Sequence, residues 1–290
     1  MEPALALAES VATRIGELEG VAAVALGGSW ARGEASPDSD VDLGVYYEPD
    51  RPFGIEDLRQ LARKLDYRRP DDAVTEFGEW GPWIDGGGWL VIEGQRVDWL
   101  YRNLALVRRT IEECRAGRPT LHHQPGHPHG FHTHIYLGEI HHCRPLHDPR
   151  GVLQRLKPLA DPYPQLLKKA LVRSQLWKAG FALDTTRGPV ERGDVFHASG
   201  SFFQCVACLV QTLHALNEHY PINEKGALKA VDALSLRPPG FVRTASAVLS
   251  RPGESPDRLR HSLRELEGLV EAVEGLAAGD QPVWRTRNQR

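Results

Sequence analysis

Gly27-Gly28-Ser29-Trp30-Ala31-Arg32-Gly33-Glu34-Ala35-Ser36-Pro37-Asp38-Ser39-Asp40-Val41-Asp42-Leu43 is the stretch on which the reading of this chain turns. Just before it, Val21 to Leu26 is a short apolar run with the character of a strand. It stops at two glycines, where the backbone turns sharply and can come close to a ligand. Ser29 to Ala35 then reads as the first turns of a helix, whose N-terminal amides favour an anionic phosphate. Beyond Pro37, Val41, Leu43 and Val45 alternate with Asp40, Asp42 and Gly44, the period of a half-buried strand. That alternation puts two carboxylates on one face, about 7 Å apart at the backbone, where they can converge on magnesium.

Such a site calls for a third acid on a neighbouring strand. Trp89 to Ile92 and Arg96 to Tyr101 read as a hairpin around Glu93-Gly94-Gln95, and Asp98 lies in its second arm. Asp85 and Glu93 compete for the same role, and a plain surface pairing of Asp98 with Arg96 or Arg102 is the alternative. Three carboxylates suit two magnesium ions about 4 Å apart, which activate an attacking hydroxyl and neutralise a leaving pyrophosphate.

Further out, an amphipathic helix opens the chain and ends near Gly20, while Ile55 to Leu65 and Leu104 to Arg115 have helical spacing. Residues 117 to 150 are rich in proline and glycine and hold nine of the 13 histidines, at positions 122, 123, 127, 129, 132, 134, 141, 142 and 147. This reads as loop, ending in a short element around Gly151 to Leu156. The histidine spacing fits no zinc ligand set, so a polar loop is the simpler reading. From Tyr163 onward the pattern is helical throughout. The expectation is an α+β protein of two domains. Residues 1–150 would form a mixed β-sheet with flanking helices, residues 151–290 a helical bundle, with the active site in the cleft between them.

The segment from Gly28 and Ser29 through Arg32, Gly33 and Ser39 to Asp40, Asp42 and Leu43 resembles the nucleotidyltransferase fold shared by DNA polymerase beta-like enzymes. The resemblance implies a triphosphate gripped by Gly28 and Ser29, metal on Asp40, Asp42 and Asp98, and further nucleotide contacts from Arg32 and Ser39. Domain order and size resemble the branch that adenylylates antibiotics such as aminoglycosides and lincosamides. So does Leu216-Asn217-Glu218-His219-Tyr220-Pro221-Ile222-Asn223-Glu224-Lys225, which implies a phosphate contact from Lys225. Glu139 would be the general base for the acceptor hydroxyl, as a glutamate is in some relatives. The implied reaction moves a nucleoside monophosphate from an NTP, with ATP expected, onto a small molecule. A nucleotidyltransferase acting on a protein and a nucleotide-binding module without catalysis are the rivals.

Bulk properties bound the partners. The chain has 290 residues, 41% hydrophobic and 25% charged, enough for two cores of ordinary composition. A net charge of −3 argues against a long nucleic acid partner. No apolar run approaches a membrane span, and Met1 to Gly20 lacks the marks of a signal peptide, so a cytoplasmic protein is expected, monomer or homodimer. Cys114, Cys143, Cys205 and Cys208 then read as reduced, buried packing residues.

Overall fold

The computed structural model describes residues 2–36, 38–68 and 73–280, in two compact units, 1–164 and 165–290. In the first, α1 (Glu2–Gly16) leads into β1 (Val21–Leu26), α2 (Gly28–Arg32), β2 (Val41–Tyr47) and α3 (Ile55–Leu65). The hairpin of β3 (Gly87–Ile92) and β4 (Gln95–Asn103) runs directly into α4 (Leu104–Arg115). Two short strands, β5 (Leu121–His122) and β6 (Phe131–His132), pair with each other, and α5 (Ile135–His142), β7 (Arg144–His147) and α6 (Val152–Ala160) complete the unit.

Among the described residues, one sheet takes the strand order β3-β4-β2-β1-β7. β2 and β4 are parallel, and the other pairings are antiparallel, so the sheet is mixed as expected. Alternation gives the sheet two unlike faces. Val41, Leu43, Val45 and Tyr47 of β2 and Val97, Trp99 and Tyr101 of β4 are buried in one apolar cluster with Leu90, Ile92, Val24 and Leu26. Ala8, Val11, Ala12 and Ile15 of α1, with Leu58, Leu61 and Ala62 of α3, close over that face. The opposite face carries Asp42, Gly44 and Tyr46 beside Asp98, Leu100 and Arg102.

The second unit is helical. α7 (Gln165–Glu191) pairs with α8 (Val195–Leu216), followed by α9 (Ala227–Ala230), α10 (Phe241–Ser250) and α11 (Pro256–Asp280). Asp194 caps α8 by accepting from the His197 amide at 3.0 Å. Phe202, Cys205, Leu209 and Leu213 of α8, Leu183 of α7, Phe241 of α10, and Leu259, Leu266 and Val273 of α11 form its core. All four cysteines are buried free thiols. Burial pushes Cys208 up to about 12 and Cys114 and Cys143 to about 11, so they pack as thiols rather than react as thiolates.

Two expectations change. The first unit runs to Pro164, not 150, because α6 packs on α4, α5 and β1. The segment read as loop contains α5, whose Ile135, Tyr136, Leu137 and Ile140 are buried, and the edge strand β7, antiparallel to β1. Pro145 and five histidines from 132 to 147 masked both elements, since such residues are neutral or unfavourable in helix and strand.

Candidate active site

β1 ends at Leu26, and the chain reverses through Gly27, whose amide donates to the Asp42 carbonyl at 2.8 Å. Gly28 follows with φ of 57°, the left-handed region that glycine enters without strain. It is pressed against the next strand so closely that a Cβ there would collide with the Asp42 carboxylate. Gly28 thus brings the backbone up to the acid. α2 is a single turn, closed at Gly33 with φ of 72°.

The segment from Ser36 to Ser39 is held from several sides. Ser39 Oγ accepts from the Ser36 amide at 2.8 Å, and the Ser39 carbonyl accepts from Gln95 Nε2 at 2.8 Å and Trp30 Nε1 at 3.3 Å. Ser39 therefore anchors the approach to β2. Arg32, at the end of α2, is paired with Glu34 at 2.7 Å.

Asp42 and Asp98 are register partners on the parallel strands β2 and β4, which sets their backbones about 4.8 Å apart with side chains on the same face. Asp40 precedes this pair by two residues and shares their parity. Its Oδ1 is buried and receives no directed hydrogen bond; Arg96 Nε stands 2.5 Å from it as an ion pair. Arg96 Nη2 also donates to the Asp38 carbonyl at 2.8 Å. Among the described residues, no three His, Cys, Asp or Glu side chains are already gathered around one point where an ion would sit. The donors nonetheless fit a hard divalent cation: carboxylates on adjacent strand positions, and a buried carboxylate oxygen whose partner is a guanidinium standing in as the cation.

The rival acids lie elsewhere. Asp85 accepts from the Tyr47 hydroxyl and from the Gly78 amide at 2.8 Å, and Glu93 sits at the hairpin tip with φ of 52°. Glu139 is on α5 and meets β4 at Arg102, which lies four residues along that strand from Asp98, about 13 Å at the backbone. There it accepts from Arg102 Nε at 2.8 Å and Nη2 at 2.6 Å. Burial works against the Arg102 charge, and Glu139 more than offsets it, leaving the guanidinium pKa raised. Tyr46 beside this pair is fully buried and its pKa is raised, by burial first and then by the charges of Cys143 and Glu139. Lys225 is exposed in the turn ahead of α9 in the second unit.

Trp89 and Trp80 were not singled out in the sequence, and Arg96 was read there only as a surface partner for Asp98. Trp89 pairs in register with Asp98 from β3 and so stands on the acid-bearing face. Its indole is 63% exposed and stacks on Trp80 at 4.6 Å. The signal for Arg96 was available: two residues before Asp98 on one strand, it must share that face.

One family model agrees with this geometry. Residues 8–82 match the model of the nucleotidyltransferase domain family, a span that holds the glycine turn, Asp40 and Asp42. Residues 133–225 match a domain family of unknown function. No curated protein matches the sequence. Among solved structures, a nucleotidyltransferase-like protein from Exiguobacterium sibiricum is similar at 13% identity, over 97% of this chain and 81% of that one, with a TM-score of 0.47. Residues 8–82, in which Gly28 packs on Asp42, match the nucleotidyltransferase domain, and this match supports the nucleotidyltransferase superfamily for the chain.

Proposed function

We propose that the protein transfers a nucleoside monophosphate, AMP by expectation, from an NTP to a hydroxyl of a small molecule and releases pyrophosphate. The observation that carries this reading is the side-by-side pairing of Asp42 and Asp98 against the Gly28 backbone. Asp40, Asp42 and Asp98 would hold two magnesium ions, which when bound lower the pKa of the attacking hydroxyl and neutralise the leaving group. Gly28 and Ser29 would present backbone amides to the triphosphate. Arg32 stands at the end of the same turn with its side chain only 25% exposed, able to exchange Glu34 for phosphate. Ser39 supports the acids rather than the nucleotide, through the hydrogen bonds that fix the chain just before Asp40. Glu139 takes no part as a base, since Arg102 engages both its oxygens.

The test measures magnesium-dependent pyrophosphate release with ATP over a panel of hydroxylated acceptors, including aminoglycosides and lincosamides. Asp42→Asn and Asp98→Asn should each lower the rate at least about a hundredfold, the several kcal/mol that metal binding supplies to the transition state. Full turnover in either variant, or turnover without divalent ions, overturns the reading.

A further inference from the structure

We infer that Trp89 and Trp80 form the platform on which the acceptor sits, and that the acceptor is a hydroxylated ring compound with a flat, CH-rich face. The inference rests on the proposed nucleotidyl transfer for its direction and on the sheet register for its position.

Across the open face, the groups stand in a fixed order. Gly28 lies against Asp42 on β2, Asp98 is the register partner of Asp42 on β4, and Trp89 is the register partner of Asp98 on β3. The steps from Asp42 to Asp98 and from Asp98 to Trp89 are each one strand spacing, about 4.8 Å. If the triphosphate lies at Gly28, the departing pyrophosphate leaves on that side. The attacking and leaving oxygens of a phosphoryl transfer are roughly in line, so the acceptor hydroxyl enters from the opposite side, where Trp89 is. A ring resting on its indole would have hydroxyls one strand spacing from Asp98.

The platform is built rather than incidental. β3 is the last strand of the sheet, and its outer side is held by residues 73–75: the Thr75 amide donates to the Gly87 carbonyl at 2.9 Å and the Trp89 amide to the Ala73 carbonyl at 3.1 Å, which fixes the backbone that carries Trp89. Trp89 is 63% exposed; among the described residues of the first unit, Tyr67 is the other large apolar side chain in that state. Trp80 lies over Gly87, where a Cβ would meet its ring, and stacks on Trp89 with the planes 24° apart. The loop that carries Trp80 is pinned. Gln124, 2% exposed, donates to the Trp80 carbonyl, and the Tyr136 hydroxyl donates to the Trp83 carbonyl at 2.6 Å. Two stacked indoles held this way offer a rigid π surface, which binds the CH face of a saturated ring and any ammonium group it bears. An open-chain polyol has no such face to offer.

Binding and turnover test this separately. Kanamycin, lincomycin and myo-inositol serve as ring probes, with sorbitol and spermidine as ring-free controls that share their hydroxyl or ammonium content. Quenching of tryptophan fluorescence, without nucleotide, should show saturable binding of at least one ring probe and none of the controls. Trp89→Ala should weaken that binding roughly tenfold, and Trp89→Phe should restore most of it. In turnover, Trp89→Ala should raise the acceptor KM and leave the KM for ATP unchanged. Absence of Trp89-dependent ring binding overturns the inference, as does a rise in the KM for ATP alone, which would give the platform to the nucleotide base. Ring binding with no pyrophosphate release from any acceptor would instead count against the proposed transfer reaction while leaving the platform in place.

Discussion

Two faces of one sheet, built from the same strands, differ in almost everything but their spacing. On one, Val41, Leu43, Val97 and Trp99 are at most 1% exposed and packed under α1 and α3. On the other, offset by a single residue, Asp42 and Asp98 stand side by side, a like-charge arrangement that costs rather than contributes stability. Period-two geometry makes this possible: each residue of β2 and β4 works for one face without touching the other. The apolar face holds the strands in register, and the register brings the carboxylates together. Stability and chemistry are therefore divided between adjacent residues.

Neighbours 98 and 99 give the largest test of that division. Trp99→Ala removes a fully buried indole from the apolar face and should cost about 3–5 kcal/mol of unfolding free energy by denaturant titration. Asp98→Asn should leave stability within about 1 kcal/mol of wild type, or raise it, because it relieves the repulsion with Asp42. A large stability loss in Asp98→Asn would break the comparison, since the acid would then be part of what holds the sheet.

The acid-bearing face is not uniform along its length, and the Arg102–Glu139 pair marks where it stops being open. Arg102 is 4% exposed, with two hydrogen bonds to one carboxylate, a third to the Tyr101 carbonyl at 3.0 Å, and its guanidinium 5.8 Å from the Tyr136 ring centre. Arg102→Met should destabilise by about 3 kcal/mol, because it strands Glu139 half-buried without a counter-charge. Adding Glu139→Leu should recover most of the loss, and the double variant should keep its turnover with ATP. If the double variant is stable but inactive, Glu139 belongs to the chemistry and the boundary drawn here moves.

How much of this was legible follows the same line. Val21 to Leu26, the Asp40–Asp42 alternation, the hairpin to Asp98, α3 and α4 were all readable, because each has a clean period or a turn signal of its own. α5 and β7 were not, since histidine and proline interrupt patterns that tertiary burial enforces. Within the site, the shared face of Asp40 and Asp42 came from period two alone. What the period could not supply was register: that Arg96 falls beside Asp40, and Trp89 beside Asp98, depends on how strands align, which hairpin geometry and packing set together. The pairing of Glu139 was hidden for the related reason that its partner, Arg102, is 37 residues away and meets it only through the fold.

The smallest effect concerns Arg96, where the two halves of the comparison meet on one side chain. It lies on the acid-bearing face, 61% exposed, and its contact with Asp40 supplies the charge that a divalent ion would otherwise bring. An exposed ion pair of this kind is worth about 0–1 kcal/mol, so the guanidinium competes with the ion only weakly. Removing it should release Asp40. Arg96→Ala is therefore expected to bind Mn2+ roughly two- to fivefold more tightly than wild type, read from free-ion EPR in the absence of nucleotide. Asp40→Asn should weaken the same binding, which separates competition at the site from a general change in surface charge. Arg96→Lys should fall between wild type and alanine, because an ammonium keeps the charge but cannot hold both the Asp40 carboxylate and the Asp38 carbonyl as the guanidinium fork does. Weaker Mn2+ binding in Arg96→Ala would mean that the arginine organises the acids instead of occupying them, and the open face would then owe its shape to a charge pair rather than to the core beneath it.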